Sequence, residues 1–209
     1  MKFSGALIPL CLTVMSLINF RVMATEEPEF TLISQENAIE VREYKPKIIA
    51  RVEVEGDFDD ASSKGFKLLA DYIFGNNLLN GESQKISMTA PVEMTPLAED
   101  IVMTSAIMKG EANHKWQVNF VMPKEYTLDS LPRPNNEQVK IIEIPKEKYA
   151  VIVFSGLVRD SSYTEKAQLL NDFIMTNNMT QLEAIKIARY NPPWTLPFFR
   201  RNELMVKIK

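Results

Sequence analysis

Residues 48–55 alternate apolar and polar side chains, cleanly from Ala50 onward. Ala50, Val52 and Val54 fall on one side and Arg51, Glu53 and Glu55 on the other. A period of two with one apolar face predicts a half-buried strand in an antiparallel sheet. Glu53 and Glu55 then share a solvated face rather than form a catalytic pair. Residues 39–44 alternate in the same way just before it. Residues 149–154 are nearly all apolar, which predicts a strand buried on both faces, and 139–144 precede them as 39–44 precede 48–55. Two stretches switch to helical spacing. Phe66, Leu69, Ala70 and Ile73 form one stripe, with Asp59 or Asp60 as the predicted cap and Gly75-Asn76 as the stop. Ala167, Leu170 and Ile174 form the other, opened by Ser162 and Glu165 in a capping-box spacing. Short strands are predicted at 86–94, 101–108, 116–122, 185–190 and 204–208. The run Leu131-Pro132-Arg133-Pro134-Asn135-Asn136 predicts a linker.

The same order of elements occurs twice, and so do individual residues. Ala50, Gly56, Asp60, Ser62, Leu69 and Asn77 recur one hundred positions later as Ala150, Gly156, Asp160, Ser162, Leu169 and Asn177. After one inserted residue, Lys85, Ile86, Pro91 and Pro96 answer to Lys186, Ile187, Pro192 and Pro197. A unit this long exceeds the ~20–50 residues of a solenoid repeat. It predicts a duplicated half-domain, with halves at about 37–122 and 137–209 around a pseudo-twofold axis. A cleft between the halves is the natural place for a ligand.

The first residues stand apart from this pattern. Lys2 precedes an apolar stretch to residue 18. Val22-Met23-Ala24 offers a small-residue cleavage site, and Glu26-Glu27-Pro28 turns the chain polar. This predicts a secretory signal over 1–24, cut after Ala24, and a periplasmic or secreted single domain over 25–209. Pro9 and Asn19 weaken the alternative of an uncleaved anchor, and Leu10 stands where a lipoprotein signal needs a small residue before Cys11. Cys11 is the single cysteine, so the mature chain has no disulfide and no thiol chemistry. Removing Lys2 and Arg21 from the 24 basic residues leaves 22 against 27 acidic ones. That balance argues against nucleic acid or anionic lipid as a default partner, since both need a clustered basic surface. No second long apolar run follows, so no stable membrane insertion is expected after signal cleavage.

Catalytic chemistry is thinly represented. His114 is the sole histidine, beside a turn-like 110–113, and is expected as an exposed loop residue. With no cysteine and one histidine, zinc patterns fail. No strand–turn–helix elbow surrounds a serine, and the seven glycines are scattered. No catalytic residue and no metal ligand is expected.

Two proline-bearing segments remain. Residues 85–96 place Pro91 inside a strand-like run, which requires an edge or a bulge. Residues 190–203 form a proline-braced loop with Tyr190, Trp194, Phe198 and Phe199 beside Arg200 and Arg201. Aromatics beside cations suit a flat apolar ligand with carboxylates; the alternative is that the rings plug the end of the sheet and Arg201 pairs with Glu203. The segment 86–91, this loop, and the opening Glu40-Val41-Arg42-Glu43-Tyr44 together resemble the SOUL family of haem-binding proteins over roughly residues 30–209. The resemblance implies an α+β fold of two pseudo-symmetric βαββ halves that form a distorted antiparallel β-barrel flanked by two helices. It also implies non-covalent binding of haem or a related porphyrin in an apolar groove between the first helix and the late proline loop. Ser63, Phe66, Lys67 and Ala70 are the expected helix contacts. Tyr190, Trp194, Phe198, Phe199 and Arg200 are the expected loop contacts. Where animal members are expected to present basic side chains to the propionates, this chain has Ser63, Asp71 and Thr195, with Lys64, Lys67 and Arg200 close by. The helix carries no histidine, so no histidine ligand is implied. The expected role is a monomeric carrier or scavenger. The alternatives are a binding module for another apolar small molecule and, third, an enzyme acting on such a ligand.

Overall fold

The computed structural model describes residues 25–97 and 114–209. The expected signal over 1–24, the strand expected at 101–108 and the turn at 110–113 lie outside the described residues.

Eleven strands and two helices follow in the order β1 Phe30–Glu36, β2 Ile39–Tyr44, β3 Lys47–Gly56, α1 Phe58–Ile73, β4 Asn77–Leu78, β5 Val92–Pro96, β6 His114–Val121, β7 Arg133–Pro134, β8 Lys140–Ile144, β9 Glu147–Ser155, α2 Asp160–Thr176, β10 Lys186–Arg189 and β11 Arg201–Ile208. Nine strands form one antiparallel sheet in the order β1-β2-β9-β11-β10-β5-β6-β3-β8. The expected α+β architecture is present. The order reads as a palindrome about the β5–β10 pair, and that pair marks the pseudo-twofold axis. Each half donates its first strand to the other: β2 pairs with β9, and β8 with β3. The two halves are therefore interlocked in one sheet.

The sheet has two edges, β1 and β8, so it is barrel-like rather than closed. It must nevertheless curl. Tyr44 ends β2 and Lys47 opens β3, three residues on, yet their strands are second and eighth in the order. Only a curled sheet brings them together, and the Lys47 ammonium sits 5.3 Å from the centre of the Tyr44 ring. The helices pack on the outside of the curl, α1 over β3 and β6, α2 over β9 and β11.

Both helices begin earlier than expected. Asp57 caps α1, its carboxylate accepting from the Asp60 amide at 2.8 Å, so Asp59 and Asp60 lie in the first turn, where they complement the helix dipole. In α2 the cap position is Arg159, and Ser162 sits three residues on, its hydroxyl accepting from the Arg159 amide at 2.9 Å. Gly65 sets the closeness of α1 to the sheet: a Cβ there would stand 2.6 Å from Val118 Cβ.

The repeat has a structural basis at several positions. Gly56 and Gly156 take positive φ of 147° and 102° at the turns that lead to the helices, where other residues are strained. Each glycine carbonyl is capped from the equivalent place: Trp116 Nε1 donates to Gly56 O at 3.2 Å, and Asn202 Nδ2 to Gly156 O at 3.0 Å. Leu169 is exposed where Leu69 is buried, and Leu170 fills the core instead. The proline correspondence does not hold. By ladder register β5 takes the place of β10, so Glu93 is the counterpart of Lys186. Pro91 precedes its strand whereas Pro192 follows its own. Hydrogen-bond register fixes spatial equivalence, and a sequence offset across loops of unequal length does not.

Two further expectations change. The stretch 86–91 is irregular, with β5 beginning at Val92. The linker 131–136 contributes the two residues of β7, which pair with β4. β1 gave no sequence signal because all seven of its residues are exposed.

Candidate functional site

Strand parity divides the side chains of the axis strands between two faces. On the helix side, Met94 and Ile187 pair and are fully buried. Arg189 pairs with Val92, and Val92 with Phe120, so these three make one row across the sheet. The Phe66 ring of α1 stands on Phe120 at 5.4 Å, edge to face. Arg189 and Phe120 are two strand spacings apart, about 10 Å. The proline loop therefore leaves the sheet from the row over which Phe66 stands.

Arg189 reaches under α1. Its guanidinium donates to Ser62 Oγ, lies 3.8 Å from Met94 Sδ and sits 5.3 Å from the centre of the Phe58 ring. Burial lowers its pKa; Asp59 opposes that effect, and Arg200 adds to it. Among the described residues no carboxylate makes an ion pair with Arg189. A guanidinium has five N–H donors, and Ser62 and Met94 leave most of them unused.

The loop itself is braced. Arg200 Nε donates to Thr195 O at 2.8 Å, and a second Arg200 nitrogen donates to Pro193 O. The Gly156 amide, just before α2, donates to Pro197 O at 2.9 Å. Asn191 Oδ1 accepts from the Arg201 amide at 2.7 Å, which ties the two ends of the loop. On this frame Trp194, Phe198 and Phe199 are 83, 65 and 69% exposed.

The structure sorts the expected site residues into groups. Ser63 and Lys67 are exposed on α1, and Phe66 is 38% exposed. Among the described residues Lys67 has no ion-pair partner. Trp194, Phe198 and Phe199 present open rings and do not plug the sheet. Ala70 is buried, because it belongs to the stripe that packs α1 on the sheet. Tyr190 is on the opposite face: strand alternation sends Arg189 toward the helices and Tyr190 into the curl, where its hydroxyl donates to Glu203 at 2.8 Å. Arg200 grips the loop's own carbonyls and Lys64 donates to Glu55 O, so both are held on backbone oxygens. Arg189 escaped the sequence reading because it ends an ordinary strand. A cation at a helix-facing position was the available signal.

His114 is not a loop residue. It opens β6 opposite Gly56, half-buried, and its Nε2 is buried without a hydrogen-bond partner. Six residues of strand, about 20 Å, separate it from the Phe120 row.

The inside of the curl combines buried ion clusters with an apolar patch of Tyr44, Tyr149, Val151, Ala188 and Met205. Glu93, 1% exposed, is held between Lys47 at 2.7 Å and Lys186 at 3.0 Å. Glu203, fully buried, accepts from Arg42, Arg201 and Tyr190. Burial and Glu203 together push the Tyr44 hydroxyl up to about 12. A cavity of about 560 Å³ opens between the strap Glu26–Glu29, the turn at Lys45–Ile48 and the loop Met122–Leu128. None of the nine expected contacts lines it.

An exposed aromatic loop beside a helix, with an unpaired guanidinium between them, fits the apolar body and the carboxylates of a tetrapyrrole. For the iron it offers little. Among the described residues no group of three or more His, Cys, Asp and Glu is placed to hold a metal ion, and the single histidine is remote. Residues 25–207 match the SOUL heme-binding protein pattern. The chain belongs to that family. No curated protein matches the chain. Solved structures share the fold of this SOUL-family chain at low identity. The EcmrR C-terminal domain has a TM-score of 0.61 and 11% identity, with 82% of this chain and 96% of that one covered. A hydrolase from Listeria innocua has a TM-score of 0.55 and 11% identity, covering 85% and 94%. An uncharacterized conserved protein from the same organism has a TM-score of 0.56 and 12% identity, covering 90% and 94%. Among the described residues no helix is long and apolar enough to cross a membrane.

Proposed function

We propose that this SOUL-family chain is an exported, monomeric carrier or scavenger of haem or a related porphyrin. The ring rests against Phe66 and the rings of Trp194, Phe198 and Phe199, and its carboxylates meet Arg189 and Lys67. The observation that carries this reading is Arg189: a guanidinium against α1, without a carboxylate ion-pair partner among the described residues, at the root of an exposed aromatic loop. Removing apolar surface from water gains about 25 cal/mol per Å², so the rings supply most of the affinity. The guanidinium fixes orientation, because it can hold a carboxylate through two parallel hydrogen bonds. An enzymatic reading draws no support from this surface, where rings and cations meet without a nucleophile–base pair.

Absorbance titration with hemin tests the proposal. The mature chain should give a saturable Soret shift at one equivalent. Arg189→Met and Trp194→Ala, each checked for folding by circular dichroism, should weaken binding by about tenfold. Hemin dimethyl ester, which lacks free carboxylates, should bind the wild type more weakly and should not discriminate against Arg189→Met. His114→Ala should leave affinity and spectrum unchanged. Wild-type affinity in both Arg189→Met and Trp194→Ala would refute the site. Tight binding of another apolar ligand with no Soret shift would refute haem. Export is checked by the mass of the secreted protein, which should begin at Thr25.

A further inference from the structure

Without a ligand, the rings that the proposed tetrapyrrole would cover stand in solvent. Trp194, Leu196, Phe198 and Phe199 are each more than half exposed within six residues, and they line neither the cavity beside Glu26–Glu29 nor the small one beside Glu93. An exposed cluster of this kind marks a site for another apolar surface. Its frame is stiff: Pro192, Pro193 and Pro197 restrict the backbone, and Arg200 clamps two of its carbonyls. The rings are thus held out at little entropic cost. The Phe198 and Phe199 ring centres are 4.5 Å apart, so they act as one apolar knob.

No acidic residue occurs between Glu183 and Glu203. Of the cations in that span, Lys186 is paired with Glu93, Arg201 with Glu203 and Glu27, and Arg189 turns to Ser62, which leaves Arg200 beside the knob without a carboxylate among the described residues. At the base of the loop Arg200 hydrogen-bonds only to neutral carbonyls, and among the described residues it makes no ion pair with a carboxylate. A tryptophan and two phenylalanines above an arginine have the chemistry of an interfacial anchor: the rings settle at the headgroup level and the cation meets anionic lipid.

We propose that the loop 191–200 docks the protein reversibly on the surface of a bilayer that contains anionic lipid. Trp194, Leu196, Phe198 and Phe199 enter the interface, and Arg200 faces the headgroups. This docking is peripheral and goes beyond the ligand reading without requiring it.

The two tryptophans give the experiment its reporter. Trp116 is fully buried and Trp194 is 83% exposed, so a vesicle-dependent change in emission reports the loop. The ligand-free mature protein is titrated with vesicles of phosphatidylcholine, and with vesicles in which part of it is replaced by phosphatidylglycerol. The expected result is a saturable blue shift with quenching by bromine-labelled acyl chains, tighter on the phosphatidylglycerol vesicles. Phe198→Ser with Phe199→Ser, which keeps the reporter, should bind at least about tenfold more weakly with an unchanged far-ultraviolet spectrum. Absence of shift and quenching on both vesicles would overturn the proposal and leave the knob to a protein partner. Wild-type binding by the double variant would also overturn it. Lys67→Glu, on α1 and away from the loop, separates the two readings. It should weaken hemin binding and leave vesicle docking unchanged, so failure of one is distinguishable from failure of the other.

Discussion

Replacing Glu203 by glutamine removes one negative charge from a buried ion cluster of the fold. The carboxylate is fully buried and accepts from Arg42 at 3.1 Å, from Arg201 at 2.7 Å and from the Tyr190 hydroxyl at 2.8 Å. Arg42 is itself 2% exposed, with the Phe30 ring lying 4.4 Å from its guanidinium. Arg201 has a second partner in Glu27, and Arg42 has a second in Glu40. The glutamine amide can still accept a hydrogen bond, but the two guanidiniums lose the charge that sits between them. Breaking a buried pair by removing one partner costs about 3–5 kcal/mol. That is a large share of the ~5–15 kcal/mol that holds a domain together. With a urea slope of about 2 kcal/mol per M, the denaturation midpoint should fall by about 2 M. The control is Arg42→Met with Glu203→Leu, which removes both charges and leaves apolar side chains of similar volume. It should recover most of the loss, because the penalty arises from the orphaned charge. A midpoint for Glu203→Gln within experimental error of the wild type would refute the reasoning. So would a double variant no more stable than the single one.

Glu93 predicts an acid-sensitive component of stability. Burial alone would raise its carboxyl, but Lys186 and Lys47 outweigh burial and hold it well below the ordinary value of 4.5. A folded-state pKa below the unfolded one contributes stability that is complete above the unfolded value and is lost as pH falls toward the folded one. Stability should therefore decline with acid from about pH 4.5 downward, with a flatter decline in Glu93→Gln, measured as urea midpoints over a pH series; parallel profiles would count against the ion cluster. Gly65→Ala should destabilise by about 1–3 kcal/mol, because its Cβ would stand 2.6 Å from Val118 Cβ and push α1 off the sheet. Thermal melting should show a fall of several degrees, and Val118→Ala in the same chain should restore part of it; an unchanged melting temperature would mean that α1 shifts at no cost.

Periodicity alone located the elements with a strong amphipathic signal. The alternation of Ala50, Val52 and Val54 against Arg51, Glu53 and Glu55 is the alternation of β3, because burial on one face of a pleated strand selects every second side chain. The stripe Leu69, Ala70 and Ile73 packs as expected, and the recurrence of Gly56 as Gly156 exposed the duplication because both turns need positive φ. Those are local constraints, and each leaves its mark on nearby residues. The tertiary structure decided what depends on distant parts of the chain. Ladder register made Glu93, not a proline segment, the counterpart of the second half, and hid Tyr190 on the far side of the sheet from Phe66. β1 has no buried face to impose a pattern, so its pairing with β2 was invisible. Arg189 became a candidate site residue only when Ser62, Met94 and Phe58, up to 131 positions earlier, were brought round it with no ion pair to a carboxylate among the described residues. A sequence records which side chains are available, whereas a charge is paired or left unpaired by contacts between segments far apart in the chain.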